Sequence, residues 1–397
     1  MNIKRLSISI AAVLAFGGLG PASGQGLLSI GGGSDFDEHF PFTVSLGAGI
    51  GYDSNMNSSA FDAHDSVYYQ GSVNAAIASG TRTFQYDLGL SYSGILYDDP
   101  APGTDEYQHN ARASFGFRYL ASPRLTISNT SYISYETEPN YAIGVATARR
   151  NEPYLYGYNN LAVAYAWSRQ FSTVSSYTIS GVDYEDGALE SENRLTQIFR
   201  QEFRYALSRV TTLAAEYRYE YTDYDTDFNT YHAHYALAGI DHSFSPLTSG
   251  GFRVGAQFRE FDNRDGDTTA PYAEAYINHR AAEKTSLRYY LRYGLDSNEL
   301  GTYDEHSSLR TGFSVSHAIT PYLTGTAGIN YVHSEFEDSD FSPDFDEDTI
   351  ALNVGLEYQL ARNVSLYTNY YFVNVDSDLD HREYDRHRVS LGVIATF

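Results

Sequence analysis

Arginine and glutamate alternate with apolar residues along parts of this sequence. Within residues 206–225, Glu216, Arg218 and Glu220 occupy every second position, and Tyr217 and Tyr219 lie between them. A period of two places successive side chains on opposite faces of a β-strand. Guanidinium and carboxylate groups on one face can orient and filter charged solutes, or pair with each other, without covalent chemistry. The pattern therefore predicts a sheet with one charged face.

The other residues that could do chemistry form no recognisable catalytic or metal-binding motif. Asp344, Asp346 and Asp348 have the spacing of a calcium loop, but Thr349 and Gly355 stand where that loop requires glycine and glutamate. A solvated acidic loop is the simpler interpretation, and a loose divalent-cation site or cation bridging to lipopolysaccharide is the alternative. The chain has 12 His and no Cys, and it contains neither H-E-x-x-H nor G-x-S-x-G. We therefore predict no catalytic residue, no metal, no cofactor and no enzymatic activity, with a hydrolase at a strand rim as the alternative.

Composition narrows the possible partners. The 397 residues carry a net charge of −24, and lysine occurs only at Lys4 and Lys284. Binding to nucleic acid requires basic stripes that contact phosphates, so we predict no nucleic-acid partner. The chain has 37 Tyr, and aromatic residues form girdles where a barrel meets the membrane surfaces. We expect most of the tyrosines in such girdles or in contact with lipid, rather than stacked on sugars.

The N-terminus has the three parts of a secretory signal. Lys4 and Arg5 precede the apolar segment 6–16, and residues 22–24 (Ala-Ser-Gly) are a small-residue cleavage site. No later segment approaches 18 consecutive apolar residues, so a domain that spans a membrane has to be a β-barrel. We predict a signal peptide at 1–24, a periplasmic lead-in at 25–42 and an outer-membrane β-barrel at 43–397.

Alternating segments continue from residue 43 to the end of the chain. We predict about 18 strands, within a range of 16 to 18, of which 81–97 and 124–136 are two. Their connections alternate between short polar turns, such as Ser208-Arg209, and longer acidic loops, such as 98–106. Short turns at one end and long loops at the other are typical of an outer-membrane barrel. The predicted fold is all-β: a single transmembrane antiparallel up-and-down β-barrel with both termini at the short-turn, periplasmic end.

The charged faces of these strands cannot contact lipid. An arginine on the lipid side near the middle of the bilayer costs about 2 to 4 kcal/mol, so we expect the charges to face the lumen. A barrel of this size is too wide to be filled by the side chains of its wall. The charges then either select ions or neutralise each other and brace the wall, and both interpretations stay open. The predicted lumen-lining residues are Arg112, Arg118, Arg200, Glu202, Arg204, Glu216, Arg218, Glu220, Arg253, Arg288, Arg292 and Arg310.

Two features of the predicted barrel suggest more specific hypotheses. The longest loop, 137–153, carries Arg149 and Arg150, and one hypothesis is that it folds into the lumen as a constriction. Gln197 and Gln201 interrupt the apolar face of their strand and mark a hypothetical contact between subunits. The sequence leaves both a monomer and a trimer open.

The last strand has an apolar face that reaches the final residue of the chain. This face resembles the C-terminal signature of outer-membrane proteins, which the barrel-assembly machinery recognises. A terminal phenylalanine also fits the lipid-facing girdle at the periplasmic surface. The predicted assembly signal comprises Val389, Leu391, Val393, Ala395 and Phe397.

The first strand reads GAGIGYDSN, from Gly47 to Asn55. Together with the paired strands along the mature chain and the terminal Phe397, this segment resembles the putative β-barrel porin 2 family. The resemblance implies a bacterial outer-membrane barrel whose solute is generally unassigned, with some members encoded near exopolysaccharide genes. It implies no catalytic residue.

These observations favour transport over catalysis. We predict a porin-like channel in the outer membrane of a Gram-negative bacterium, through which small hydrophilic solutes diffuse passively along a charged lumen. One alternative is a barrel for export or binding of exopolysaccharide, which favours aromatic tracks inside the lumen; another is a non-conducting structural or adhesive barrel whose loops do the work. The expected partners are outer-membrane lipid and lipopolysaccharide, the barrel-assembly machinery, and small hydrophilic solutes or polysaccharide.

Overall fold

The computed structural model describes most of the chain from residue 42 onward. The described residues are 42–148, 151–186, 191–226, 229–263, 266–281, 284–297, 299–300, 303, 306–337 and 343–397. The predicted signal peptide and almost all of the predicted lead-in lie outside these residues. Within them, no helix is long and apolar enough to cross a membrane.

The described residues form 18 antiparallel strands, as the alternating sequence pattern predicted. Most strands have 12 to 16 residues, enough for a tilted strand to cross the apolar layer of a bilayer. The strands are β1 (Phe42–Asp53), β2 (Ser66–Gly80), β3 (Phe84–Tyr97), β4 (Tyr107–Ser122), β5 (Leu125–Glu136), β6 (Tyr154–Ala166), β7 (Phe171–Tyr184), β8 (Arg194–Ala206), β9 (Thr211–Tyr224), β10 (Tyr231–Ser245), β11 (Thr248–Phe261), β12 (Thr268–Ala281), β13 (Thr285–Leu295), β14 (His306–Thr320), β15 (Leu323–Phe336), β16 (Phe345–Ala361), β17 (Val364–Ser377) and β18 (Tyr384–Thr396).

Pairing between the first and last strands closes the sheet into a barrel. Each strand pairs with its sequence neighbours, and β1 pairs with both β2 and β18. Val44 N donates to Phe397 O at 3.0 Å, and Phe397 N donates to Val44 O at 2.8 Å. The two ends of the barrel domain therefore lie side by side at the short-turn end. A closed sheet leaves no unpaired edge.

Serine and threonine side chains build the short turns. The Ser168 Oγ accepts hydrogen bonds from the backbone N–H groups of Gln170 and Phe171, two and three residues further along the chain. Ser208 repeats this arrangement in its own turn. In such turns the hydroxyl satisfies backbone N–H donors at the point where the hydrogen bonds between neighbouring strands end. Thr81 does the same for Phe84, so β3 begins at Phe84 rather than at the predicted residue 81.

The two faces of the barrel wall differ as the period-two pattern requires. Outer positions carry large exposed apolar residues; Leu391 is 60% exposed and Phe203 is 47% exposed. Inner positions carry charged, amide, hydroxyl and tyrosine side chains, many of them buried. The barrel therefore has an apolar outside and a polar, partly filled inside, which is the reverse of a soluble globular domain.

Candidate functional site

The loop between β5 and β6 enters the barrel. Residues 137–148, here called the bridge loop, carry buried side chains although they belong to no strand of the wall. Tyr141 is 5% exposed, Val145 is 6% exposed and Ala146 is 1% exposed. The structure thus bears out the hypothesis that this loop folds into the lumen. Arg149 and Arg150, which the hypothesis named, lie outside the described residues.

The bridge loop contacts two opposite sides of the wall. Its Tyr141 packs with Val332, Val373 and Tyr384, which belong to β15, β17 and β18. Its residues Val145 and Ala146 pack instead with side chains of β6 and β7. In a closed sheet of 18 strands, β6–β7 and β15–β18 face each other across the lumen. The loop therefore spans the lumen rather than lying along one wall.

A buried carboxylate fixes the middle of the bridge loop. Glu299, from the connection between β13 and β14, accepts hydrogen bonds from Ala146 N at 2.8 Å and Ala148 N at 3.0 Å. Arg194 Nη2 on β8 donates to the same carboxylate at 2.9 Å. Burial opposes ionisation of Glu299, but the charge of Arg194 and the two backbone donors lower its pKa below the usual value. The loop is therefore tied to an ionised group.

Arginine side chains hold the two flanks of the bridge loop. Arg310 Nη1 donates to Tyr141 O at 3.2 Å. Glu138 accepts from Arg388 Nη1 at 2.9 Å and lies 3.3 Å from Arg386 Nη2, which also pairs with Asp53 at 2.6 Å. Burial opposes ionisation of Glu138, but the charges of Arg386 and Arg388 lower its pKa below the usual value. Sequence reasoning missed these acceptors because their arginine partners lie 169 or more residues away in the chain.

The inward faces of β8–β14, here called the charged wall, contain a network of ion pairs. Glu202 accepts from Arg204 at 2.9 Å and from Arg253 at 2.8 Å, and Arg253 also pairs with Asp241 at 2.8 Å. Arg200 pairs with Glu202 at 3.1 Å and with Glu216 at 2.5 Å. Since Arg253 lies on β11 and Glu202 on β8, the network crosses several strands and braces the wall.

Arg218 extends the same network along β9. It pairs with Glu216, and its Nη2 donates to Glu274 on β12 at 2.8 Å. The network thus contains four arginines and four carboxylates. Glu202 and Glu216 are 0% and 4% exposed, so the carboxylates are directed at arginines and not at water. Mutual neutralisation, one of the two interpretations left open by the sequence, describes this part of the wall.

A comparison with protein families agrees with the closed barrel. The model for the family described as "Putative beta-barrel porin 2" matches residues 39–397. The chain belongs to this family. The match covers every strand of the barrel, so the resemblance seen in the GAGIGYDSN segment extends to the whole domain. A comparison with curated proteins found no match.

Several solved structures to which this chain is similar are porins of low sequence identity. A BenF-like porin from Pseudomonas fluorescens Pf-5 has 11% identity and a TM-score of 0.47, covering 90% of this chain and 98% of that chain. OccK9 (OpdG) of Pseudomonas aeruginosa has 12% identity and a TM-score of 0.47 over the same shares. OpdK of Pseudomonas aeruginosa, solved with vanillate, has 10% identity and a TM-score of 0.45, covering 90% of this chain and 99% of that chain.

Three more of the predicted lumen-lining residues of this porin-family barrel are also partnered. Arg292 and Arg310 both pair with Asp296, at 2.9 Å and 2.6 Å. Glu220 accepts hydrogen bonds from the hydroxyls of Tyr231 at 2.7 Å and Tyr235 at 3.0 Å. Burial opposes ionisation of Asp296, yet the charges of Arg292 and Arg310 hold its pKa far below the usual value.

The remaining predicted arginines differ from those of the network. Arg112 lies over the ring of Tyr132, with its guanidinium carbon 3.8 Å from the ring centroid. Among the described residues, Arg118 forms no ion pair. Arg288 faces inward on β13, beside Tyr290 of the same strand. The structure therefore does not unite all the predicted lumen residues into one site.

The inward faces of β2–β7, here called the polar wall, are dominated by hydroxyl and amide groups. Several tyrosines lie among them; Tyr132 is stacked on Tyr158 at 5.3 Å between ring centroids and lies 5.7 Å from Tyr156. Sequence reasoning expected most tyrosines outside, although Tyr154, Tyr156 and Tyr158 share the parity of the inward-facing Asn160. The polar wall includes Asn74, Ser91, Ser114, Ser128, Thr130 and Asn160.

The predicted assembly signal lies on the outer face of the last strand. Val389, Leu391 and Val393 are exposed there, Ala395 is partly exposed and Phe397 is 67% exposed. These residues form an apolar strip next to β1. Their geometry suits recognition by another protein or contact with lipid, and their role in assembly stays a prediction.

The acidic segment after residue 336 forms no compact metal site in the described part of the chain. There, no group of three or more His, Asp or Glu residues converges on one point. Asp348 accepts hydrogen bonds from Tyr331 at 2.6 Å and His333 at 2.9 Å, and Asp346 N donates to Asp378. These carboxylates are engaged at the long-loop end of the barrel.

Proposed function

We propose that this protein is a channel for passive diffusion of small hydrophilic solutes across a bacterial outer membrane. The observation that carries the proposal is the bridge loop, which crosses the lumen between opposite walls and narrows it without belonging to the wall. A loop held inside a wide barrel limits the size of what passes. The short turns would face the periplasm, and the acidic loops would face lipopolysaccharide outside the cell.

Exposed inward-facing side chains below the bridge loop support a water-filled passage. Asp87, Thr130, Ser314 and Glu357 face inward near the short-turn end, and all four are exposed. Above them, inward-facing side chains that contact the bridge loop are buried. Inward-facing side chains are thus exposed toward the short-turn end and buried where the bridge loop crosses the lumen.

The chemistry of the walls favours uncharged and weakly charged solutes. The arginines of the network are neutralised by carboxylates, so they present little net field to a passing ion. The polar wall offers hydroxyl and amide groups that can replace water around a small polar solute. We therefore propose weak ion selectivity and transport by diffusion, with no catalytic step.

Inward-facing tyrosines are the observation that would favour a polysaccharide barrel instead. Many of them, however, have structural partners: Tyr154 donates to Glu136, Tyr184 to Glu299 and Tyr272 to Glu274. Others pack against the bridge loop. Rings fixed in this way do not form a continuous open track along the lumen, so diffusion of small solutes remains the better-supported function.

Liposome swelling tests the proposal. The folded, heat-modifiable barrel is reconstituted into liposomes, which are diluted into isotonic solutions of neutral sugars of increasing size. We expect swelling with monosaccharides that declines sharply for oligosaccharides, because the bridge loop limits the passage. Empty liposomes and liposomes with heat-denatured protein are the controls. Failure of the folded barrel to admit any monosaccharide would contradict the proposal.

A further inference from the structure

One sector of the outer surface departs from the apolar pattern of the rest. The outward positions between four and nine residues from the short-turn end of each strand form a band around the barrel. This band lies inside the hydrocarbon layer when the barrel spans a membrane. On β1–β4 this band carries only apolar residues, glycine and tyrosine, for example Ile50, Val73, Leu90 and Phe115. The outer face is therefore suited to lipid on that side.

Four consecutive strands carry amides and hydroxyls in the same band. Their outward direction follows from their parity with exposed neighbours such as Ile133, Leu161, Tyr177 and Phe199. We call these residues the amide patch: Asn129 and Ser131 on β5, Asn159 on β6, Ser175 on β7, and Gln197 and Gln201 on β8.

The other described strands lack such residues in this band, apart from isolated threonines. Thr311 on β14 donates its hydroxyl to Tyr290 O at 2.9 Å, which satisfies it within the wall. Thr368 on β17 lies between Leu366 and Tyr370, and it is the one hydroxyl or amide side chain other than tyrosine at the outward positions of β17 within the band. The amide patch is therefore a local feature of β5–β8 and not a general property of the barrel surface.

The patch satisfies only part of its own hydrogen-bonding capacity. Ser175 donates to Gln201 Oε1 at 2.6 Å, Tyr177 donates to Gln197 Oε1 at 2.6 Å and Ser131 donates to Asn129 Oδ1 at 2.9 Å. In the described part of the chain, the Gln197 Nε2 and the whole Asn159 amide have no partner. A lipid tail offers none, and an unpaired amide in hydrocarbon is unfavourable.

We propose that the amide patch is the interface with a second copy of this chain. Each carboxamide carries a donor and an acceptor, so the patch is complementary to itself across a two-fold axis. Two copies inserted in the same direction place their patches at the same depth in the membrane. A different protein would present matching polar groups at that depth only by coincidence. The surrounding Leu161, Val163 and Phe203 are exposed and supply apolar packing around the hydrogen bonds.

The mass of the folded barrel in mild detergent tests this interface. We expect light scattering to give two copies for the native protein and one copy for the Gln197→Leu/Gln201→Leu variant. Polar contacts between membrane-embedded segments each contribute modestly to the free energy of association. Because the variant removes two such side chains from each copy, we expect self-association to weaken by about tenfold or more. Thr368→Val, on the far side of the barrel, is the matched control and should keep the dimer. A native protein that stays monomeric at all concentrations would overturn the proposal.

Cysteine cross-linking gives a second readout that does not depend on the leucine variant. The native chain has no Cys, so one introduced thiol reports one position. In a two-fold interface, Ser175→Cys should form a disulfide-linked dimer under mild oxidation in membranes, whereas Thr368→Cys should not. Heat-modifiable mobility shows that each variant is folded. Cross-linking through Thr368→Cys but not through Ser175→Cys would place the contact elsewhere and overturn the proposal.

Discussion

The charged wall and the polar wall face the same lumen but handle charge in opposite ways. In the charged wall, Arg253 serves both Glu202 and Asp241, and each of these groups is almost completely buried. In the polar wall, Arg112 lies on a tyrosine ring, and Arg118 forms no ion pair within the described residues. The difference teaches that facing the lumen does not make a charge available to a solute. A partnered charge braces the wall, and an unpartnered one can act on what passes.

The largest expected difference between the walls is in stability. Arg253→Ala leaves two buried carboxylates without their shared cation, and breaking a buried ion pair in this way costs about 3 to 5 kcal/mol. Arg112→Ala removes a contact between a cation and a ring, worth about 0.5 to 2 kcal/mol. Urea unfolding of the reconstituted barrels, followed by heat-modifiable mobility, measures both. Equal losses for the two variants would remove the distinction between the walls.

Ion selectivity gives the second comparison. Arg218→Gln combined with Glu274→Gln removes one charge of each sign from the network, so we expect an unchanged reversal potential in a salt gradient. Arg118→Gln removes a cation that has no counter-ion among the described residues, so we expect a shift toward cation preference. A planar bilayer measures both potentials. The comparison fails if the double variant shifts the potential more than Arg118→Gln does.

Acid pH provides the third and smallest effect, on the bridge loop. The pKa of Glu299 is lowered in the folded barrel, so its tie to the loop persists at pH 4.5, its ordinary pKa, and is lost only as the pH falls through the lowered pKa. We expect the open-channel current to stay quiet down to pH 4.5 and to become noisier only below that pH, as Glu299 is protonated. Glu299→Gln should already be noisy at neutral pH and change less on acidification. A native channel whose noise is independent of pH would contradict this tie.

Much of the fold was predictable because strand parity is a local property. Leu213, Tyr217 and Glu216 reveal their faces within a few residues, and the polar turn at Ser208 shows where one strand ends and the next begins. The same local pattern placed the arginines inside. The strand that was predicted to begin at residue 81 begins later because the hydroxyl of Thr81 closes the turn.

The candidate site was less predictable because its contacts are not local. The pairing of Arg386 with Asp53 joins the last strand to the first, and no short pattern announces it. Glu299 becomes a tether only because the barrel closes and brings the bridge loop beside it. The alternation of the strand already indicated that Tyr154 and Tyr156 face inward. The high frequency of tyrosine in aromatic girdles, however, argued for the outer face. Sequence therefore identified which residues were charged, whereas closure decided which of them were neutralised.

Single-channel conductance tests most directly the central claim that the bridge loop narrows an open lumen. The native barrel is compared in a planar bilayer with a variant in which residues 139–148 are replaced by a short glycine-serine linker. We expect steady steps from the native protein and steps several-fold larger from the variant, with both proteins heat-modifiable. No steps from either folded protein, or equal steps from both, would contradict the claim.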